Sequence, residues 1–175
     1  MSPDRGNIVL IGFMGTGKSS VGRRIAARLG YRFVDTDRLV VEETGSSIAE
    51  LFETKGEPFF RDRETAALAS LQGADRCVIA TGGGIIDRPA NSGLLRALGF
   101  VVWFIASEEV IFERVSRTAK RPLLKNDDPK GTIARLLKRR APIYESTAHF
   151  KIDTSLRSHD EAAAAVAEAA RLHFQ

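Results

Sequence analysis

The feature that most constrains this chain is the stretch GFMGTGKSS at positions 12–20, which follows four apolar residues at positions 8–11. It matches the pattern G-x-x-x-x-G-K-[ST], whose fixed positions are Gly12, Gly17, Lys18 and Ser19. A buried strand that ends in such a loop and continues into a helix turns backbone N–H groups inward, where they bind phosphate oxygens. The Lys18 ammonium then reaches the outer phosphates, and the Ser19 hydroxyl is a ligand for Mg2+. The alternative is a glycine-rich turn that binds nothing.

The bulk composition indicates one domain. The chain has 175 residues, 43% of them apolar, which is enough for a single domain with a substantial core over residues 1–175. No basic segment precedes the first apolar run, and glycines interrupt that run well short of the about 20 residues that span a membrane, so no targeting or membrane segment is expected. The single cysteine, Cys77, cannot form an intramolecular disulfide, which favours a cytoplasmic protein. Nothing in the pattern indicates an obligate protein partner, and a monomer is expected.

The net charge of +4 raises the question of nucleic acid binding, since Lys138, Arg139 and Arg140 form a basic run. However, basic and aromatic residues do not alternate as they do on base-stacking surfaces. A protein that binds several phosphates and an anionic substrate also needs arginines. We therefore expect no nucleic acid partner.

Apolar runs alternate with helical patterns along the chain, which predicts a parallel sheet covered on both faces. The predicted strands are Asn7–Gly12, Arg32–Asp35, Arg76–Thr81, Phe100–Ala106 and Phe150–Asp153. The predicted helices are Lys18–Leu29, Asp37–Glu43, Ser47–Thr54, Pro58–Leu71, Asn91–Leu98, Glu108–Ser116, Thr132–Glu145 and Asp160–Leu172. Repeated strand–helix units with right-handed crossovers give an α/β fold, a three-layer α/β/α sandwich with a five-stranded parallel sheet.

One polar segment, RTAKRPLLKNDDPKG at 117–131, contains two prolines and shows no periodicity, so it is predicted to be a mobile loop. In a phosphate-transfer enzyme, a loop of this length closes as a lid over the nucleotide and excludes water. Such a lid carries Arg117, Lys120 and Arg121. A surface loop without a function is the alternative.

Two carboxylates follow the second predicted strand, at the sheet edge where open α/β folds bind ligands. Asp35 and Asp37 are two apart on an extended segment, so both are expected to face one site. One can hold Mg2+ through water while the other accepts the proton of an attacking hydroxyl. The alternative for Asp37 is that it caps the helix that follows.

Further candidates for an acceptor site lie later in the chain. The TGGGII stretch at 81–86 is a second glycine-rich strand end, where backbone can approach a ligand closely. Arg61 in PFFRDRE and Arg140 in RRAPIYE have apolar neighbours that hold a guanidinium in a fixed pose suited to a carboxylate, with Glu64 as a partner for Arg61. Solvated surface arginines are the alternative for both.

Together, five stretches resemble the shikimate kinase family from one end of the chain to the other. They are GFMGTGKSSVGRRIA, FVDTDRLVVEETGSSIAELFETKGEPFFRDRE, VIATGGGII, RPLL and RRAPIY, in this order. The first occurs in many nucleotide-binding families, whereas D-x-D, F-R-x-x-E, T-G-G-G and R-P-L-L together are similar to this family in particular. The resemblance implies a fold like that of P-loop nucleoside monophosphate kinases. It also implies transfer of the γ-phosphoryl group of ATP to the 3-hydroxyl of shikimate with Mg2+, in aromatic amino acid biosynthesis.

The resemblance also implies roles for residues at matching positions. Asp37 binds the acceptor and acts as base, and Lys18 and Arg121 stabilise charge on the transferred group. Shikimate contacts are Asp37, Arg61, Gly82, Gly83, Gly84 and Arg140, with the helical segment around 37–64 contributing to the acceptor site. ATP contacts are Gly15, Thr16, Gly17, Lys18, Ser19, Ser20, Arg117, Arg121 and Arg157. Ser19 and Asp35 hold Mg2+ directly or through water.

The phosphate motif also allows three other interpretations. A guanine-nucleotide switch normally carries an N-K-x-D-like segment, which is absent here. A small-molecule kinase of the same build that acts on another acceptor, such as gluconate, is a closer rival. The presence of Lys18, Ser19, Asp35 and Asp37 argues against an inactive nucleotide-binding module.

Overall fold

The computed structural model describes residues 6–118 and 124–175. Its strands are β1 (Asn7–Gly12), β2 (Arg32–Asp35), β3 (Cys77–Ala80), β4 (Gly99–Ile105) and β5 (Phe150–Asp153). Its helices are α1 (Lys18–Leu29), α2 (Thr36–Thr44), α3 (Ile48–Thr54), α4 (Glu57–Ala69), α5 (Pro89–Leu98), α6 (Glu108–Ser116), α7 (Pro129–Thr147) and α8 (His159–Phe174), with a 3-10 turn at Ile85–Asp87. None of the helices in these described ranges is both long and apolar enough to cross a membrane.

The five strands form one parallel sheet in the order β2–β3–β1–β4–β5. The central strand β1 pairs with β3 on one side, where Ile8 lies opposite Val78, and with β4 on the other, where Ile8 lies opposite Phe100. Because β1 and β3 are neighbours and parallel, the phosphate motif and the triple-glycine stretch, which follow these strands, lie at the same edge of the sheet.

Alternate residues of β1 serve two separate cores, as the two-residue period of a strand requires. Leu10 packs with Ile25 of α1 and Val166 of α8 on one face of the sheet. Val9 packs with Leu68 near the end of α4 and with Tyr144 of α7 on the other face. Helices therefore cover both faces, and the predicted three-layer α/β/α sandwich with a five-stranded parallel sheet is confirmed.

All but one of the predicted element bounds lie within two residues of the observed ones, and those of β1, α1, β2, α6 and β5 match at both ends. The main difference lies before α7, which begins at Pro129 rather than Thr132. The Asp128 side chain accepts a hydrogen bond from the Gly131 N–H at 3.0 Å and caps this helix, with Pro129 in its first turn. The predicted loop over 117–131 therefore extended too far, and Lys120 and Arg121 within it lie outside the described residues.

Candidate active site

The phosphate motif forms a loop between β1 and α1. Gly17 adopts a left-handed conformation with φ of 92° at the start of α1, which a residue with a Cβ would resist. The Lys18 ammonium is nearly buried and donates to the carbonyls of Gly12 at 2.6 Å and Phe13 at 2.8 Å, so it lies across the loop. The loop borders a cleft of about 320 Å3, whose lining includes Gly15, Gly17, Lys18, Ser19 and Ser20.

One contact within this loop and two contacts from other elements hold it in place. The Thr16 hydroxyl donates to the Phe13 carbonyl at 2.7 Å, within the loop itself. The Thr154 hydroxyl, just after β5, donates to the Thr16 carbonyl at 2.8 Å. Arg114 of α6 donates to the Gly15 carbonyl at 3.0 Å. Buried Thr16 therefore supports the shape of the loop through its backbone and hydroxyl.

The two predicted carboxylates face the same cleft, but for a different reason from the one expected. Asp35 ends β2, whereas Asp37 lies in the first turn of α2, so they do not share an extended segment. The Asp35 carboxylate accepts from the Asp37 N–H at 3.0 Å and caps α2, so the alternative role of Asp37 as that cap is wrong.

The donor set beside the loop fits Mg2+. The Ser19 hydroxyl donates to the second Asp35 oxygen at 3.2 Å, which brings a hydroxyl and a carboxylate together at the cleft. Oxygen ligands of this kind are what Mg2+ prefers, and in phosphate sites it takes only one or two of them from the protein. Within residues 6–118 and 124–175, no group of three or more His, Cys, Asp or Glu side chains forms a larger metal site.

A second pocket adjoins the cleft and contains the predicted arginines. Arg61 of α4 is nearly buried, and its guanidinium bonds to the Glu64 carboxylate at 2.7 Å and to Glu57 at 3.1 Å. Burial opposes the charge of Arg61, but Glu64 and Glu57 more than offset it and raise the pKa of the guanidinium above its ordinary value. The interpretation of Arg61 as a solvated surface residue is therefore wrong, and the predicted partnership with Glu64 is confirmed.

Glu64 is an unusual carboxyl group because its side chain is only 1% exposed. The pKa of Glu64 is raised to about 7, mainly because burial disfavours its charged form; the Asp37 charge also raises it, and the charge and hydrogen bond of Arg61 lower it only in part. A Cβ placed on Gly82 would lie 2.5 Å from Glu64 Oε1 and 2.9 Å from Asp37 Oδ1, so both carboxylates lie against this glycine. The pocket thus places a carboxyl group with a raised pKa beside the candidate base.

The triple-glycine stretch lines the pocket through its backbone. A Cβ on Gly84 would overlap the Arg61 guanidinium, so a glycine is required for that group to approach. The Tyr144 hydroxyl donates to the Gly83 carbonyl and anchors the turn to α7. Burial raises the pKa of Tyr144 well above its ordinary value, so this phenol remains a donor.

Arg140 approaches the same pocket from α7, and its side chain is only 1% exposed. Its Nε and Nη2 atoms bond to the two oxygens of Asp87 at 3.0 and 2.7 Å. The guanidinium also lies over the Phe13 ring of the phosphate loop, 5.6 Å from the ring centre. Arg140 is therefore a buried, fixed cation, and the alternative of a solvated arginine is wrong for it as well.

The cleft and the pocket meet at four shared lining residues, which are Met14, Asp37, Gly82 and Gly83. The phosphate loop lies on one side of this junction and the two arginines on the other. A group held by the arginines can therefore reach a phosphate held by the loop, with the Asp37 carboxylate between them.

Of the predicted nucleotide contacts, Thr16 is buried and does not line the cleft, and three others are not brought to the cleft by the described residues. Arg117 is exposed and pairs with Glu113, and Arg157 is exposed in the segment before α8. Neither borders the cleft beside the phosphate loop. Arg121 lies outside the described residues, so all three remain predictions.

Sequence reasoning missed several residues of the pocket. Phe52 and Phe60 line it with their rings 5.0 Å apart, although phenylalanines in amphipathic helices usually serve core packing. Asp87 and Tyr144 do not line the pocket but hold residues that do, and they were also missed because their partners lie about 50 to 60 positions away in the chain. The one available signal was the position of Asp87 just after the triple-glycine stretch.

A nucleotide cleft on a parallel sheet of this strand order, opening into a small arginine-lined pocket, is the arrangement of P-loop kinases that phosphorylate small molecules. The chain belongs to the shikimate kinase family, whose family model matches residues 14–171. It is 46% identical to a shikimate kinase of Geobacter sulfurreducens, over 97% of this chain and 93% of that protein. It is 44% identical to one of Symbiobacterium thermophilum, over 93% and 94%.

Solved structures agree with this assignment. A shikimate kinase from Acinetobacter baumannii in complex with shikimate superposes with a TM-score of 0.91 at 38% identity, over 94% of this chain and 92% of that one. A gluconokinase from Sinorhizobium meliloti superposes with a TM-score of 0.60 at 23% identity, over 96% and 92%, and shares the fold alone. The predicted family, fold class and kinase activity are therefore confirmed.

Proposed function

We propose that the protein transfers the γ-phosphoryl group of ATP to the 3-hydroxyl of shikimate in the presence of Mg2+, giving shikimate 3-phosphate and ADP. The observation that carries the proposal is the junction at Asp37, where a phosphate-binding cleft meets a pocket with two buried arginines. The superposition on a shikimate kinase with bound shikimate supports the choice of acceptor.

In this proposal the acceptor is held by its carboxylate. Arg61 and Arg140 each provide a buried, preoriented guanidinium, which suits a planar carboxylate better than a lysine would. The backbone of Gly82, Gly83 and Gly84 contacts the ring and its hydroxyl groups, since no side chain separates that backbone from the pocket. Fixing the acceptor in this way contributes to rate, because an oriented reacting pair avoids a large entropic cost.

Asp37 is proposed to act as the base. Its carboxylate lies at the junction and binds the acceptor hydroxyl groups, so it can take the proton of the 3-hydroxyl as that oxygen attacks the γ-phosphorus. The bond from the γ-phosphorus to the β,γ-bridging oxygen then breaks and ADP leaves. Phosphoryl transfer of this kind depends mainly on positioning and charge stabilisation.

The phosphate loop is proposed to hold the donor. Gly15, Thr16, Gly17 and Ser20 bind phosphate oxygens, and Lys18 stabilises the charge of the transferred group once its ammonium turns from the loop carbonyls towards ATP. Ser19 and Asp35 would hold the metal, directly or through water. Mg2+, when bound, neutralises charge on the phosphate oxygens.

The remaining assignments complete the proposal. The part of the segment 117–131 that precedes α7 acts as the lid of a single kinase domain over 1–175 and carries Arg121 onto the transferred group. Arg117 and Arg157 border the adenine, and the helical segment around 37–64 closes the acceptor side. We propose a cytoplasmic monomer without an obligate protein partner, which is consistent with a free, buried Cys77.

ADP release measured with shikimate, gluconate and nucleoside monophosphates in turn tests the proposal. We expect ADP release with shikimate that depends on Mg2+, and none above background with the other acceptors. Release that prefers gluconate, or that shikimate does not stimulate, would refute the proposed acceptor.

A further inference from the structure

Asp87 is a carboxylate that the proposed reaction does not use, yet it contacts both arginines of the pocket. It ends the 3-10 turn that follows the triple-glycine stretch, and its side chain is 18% exposed. Its Oδ2 atom lies 2.7 Å from Arg140 Nη2 and 3.8 Å from Arg61 Nη2. The same oxygen also lies 3.3 Å from Arg139 Nη2. One carboxylate therefore lies among three guanidinium groups.

The contact with Arg140 is bidentate and leaves part of the guanidinium available. Asp87 occupies the edge formed by Nε and Nη2, at 3.0 and 2.7 Å. Arg140 Nη1 is buried and makes no hydrogen bond of regular geometry with any described residue, although the Tyr144 hydroxyl lies close enough to the guanidinium to interact with it. Since Arg140 lines the acceptor pocket, Nη1 is the group left to bind an anion there.

The three neighbouring guanidinium groups favour the ionised form of the Asp87 carboxyl group. Burial opposes its ionisation, but the hydrogen bonds and charge of Arg140, with Arg139 and Arg61, lower the pKa of Asp87 below its ordinary value. Asp87 is therefore a carboxylate at neutral pH, and it offsets the mutual repulsion of three close cations.

We propose that Asp87 is a positioning residue that fixes Arg140 through Nε and Nη2, so that Nη1 is presented to the carboxylate of the acceptor. This inference rests on the proposed function. The opposite role is that Asp87 is an internal competitor that the acceptor carboxylate must displace. Positioning is favoured because Arg140 Nη1 makes no hydrogen bond of regular geometry with any described residue while Asp87 is bound, so the acceptor can bind without displacing Asp87.

Steady-state kinetics of Asp87→Ala and Asp87→Asn, with shikimate varied at saturating ATP, test this proposal. Without the Asp87 carboxylate, the Nε and Nη2 atoms of Arg140 lose their partner and the guanidinium becomes mobile. We therefore expect the KM for shikimate to rise about tenfold in Asp87→Ala and less in Asp87→Asn. The kcat and the KM for ATP should stay within about twofold of wild type, since Asp87 does not border the nucleotide cleft. Asp87→Glu should restore part of the lost affinity.

Asp62→Asn is the matched control, because Asp62 pairs with Arg88 at 2.6 Å near the same pocket and is more exposed. It should leave every constant unchanged. An unchanged KM for shikimate in Asp87→Ala would overturn the proposal, and a lower KM would assign Asp87 the competing role instead. Asp87→Asn keeps the shape of the side chain, so its KM distinguishes the same two roles if the alanine variant does not fold. A wild-type protein without shikimate-dependent ADP release would refute the proposed function, whereas an active wild type with unaltered variants refutes this inference alone.

Discussion

The two halves of the site are built in different ways. The phosphate loop consists of consecutive residues, and its shape depends on contacts to backbone carbonyls, as when Lys18 bonds to Gly12 and Phe13. The acceptor pocket is assembled from α2, α3, α4, the triple-glycine stretch and α7, and it depends on contacts between charged side chains.

This difference determines how each half should respond to change. In the phosphate loop, the groups that accept the stabilising hydrogen bonds are backbone carbonyls, which are present whatever side chain the residue carries, so a substitution in the acceptor pocket is expected to leave the loop unchanged. In the pocket, Arg61 and Arg140 are buried and each needs a carboxylate partner, because an unpaired buried charge is strongly unfavourable. Substitutions in the pocket are therefore expected to alter acceptor binding and stability together, and to leave ATP binding intact.

The largest expected effect is on turnover at the junction of the two halves. Asp37→Asn should lower kcat by about 100-fold to 10,000-fold, the usual contribution of a general base, while the KM for ATP changes little. Steady-state kinetics with each substrate varied in turn measure both constants. Unchanged turnover would remove the base assignment, and a large rise in the KM for ATP would show that the halves are not independent.

The next largest effect is on the free energy of unfolding and its dependence on pH. The pKa of Glu64 is raised from 4.5 to about 7 in the folded protein, so the folded state binds more protons across this window. The contribution of Glu64 to stability is thus fully present below pH 4.5 and lost as the pH rises through about 7. At 1.36 kcal/mol per pH unit, wild type should lose about 2 to 3 kcal/mol relative to Glu64→Gln between pH 5 and 8.

Urea unfolding of both proteins at pH 5 and pH 8 measures this difference. Asp87→Asn is the control, since the pKa of Asp87 is lowered from 3.8 and its contribution is lost only as the pH falls through that lower value. The stability difference between wild type and Asp87→Asn should be flat from pH 5 to 8. An equally flat result for Glu64→Gln would contradict the raised pKa of Glu64 and would show that its pairing with Arg61 outweighs the effect of burial.

A smaller effect is expected when Arg61 is replaced, and it should alter the binding of shikimate but not that of ATP. Arg61→Ala should raise the KM for shikimate about 10-fold to 100-fold, the range expected for losing a charge-assisted hydrogen bond, with little change in the KM for ATP. Arg63→Ala is the matched control, because Arg63 lies two residues further along α4, is 36% exposed and pairs with Glu43. Similar effects of the two substitutions on shikimate would exclude a specific clamp.

The smallest effect tests the close packing at the triple-glycine stretch. Gly82→Ala introduces a Cβ within 3 Å of Glu64 and Asp37, which must move, so kcat/KM for shikimate should fall up to about tenfold. Gly93→Ala in α5 has open space around its new methyl group and should stabilise the fold by about 0.5–1 kcal/mol without changing the kinetics. Equal kinetics for the two variants would show that the pocket tolerates a side chain at position 82.

The sequence by itself determined the layered α/β fold, most element bounds to within two residues, and the phosphate loop. These depend on the local periodicity of apolar residues and on an eight-residue motif. It also indicated Asp37, Arg61 and Arg140 through their neighbours and the family pattern. Tertiary structure alone decided that Asp35 rather than Asp37 caps α2, that Phe52 and Phe60 line the pocket, and that Asp87 holds Arg140. The physical reason is that a buried guanidinium pairs with whichever carboxylate the fold brings near it. The distance between the two residues along the chain does not predict that pairing.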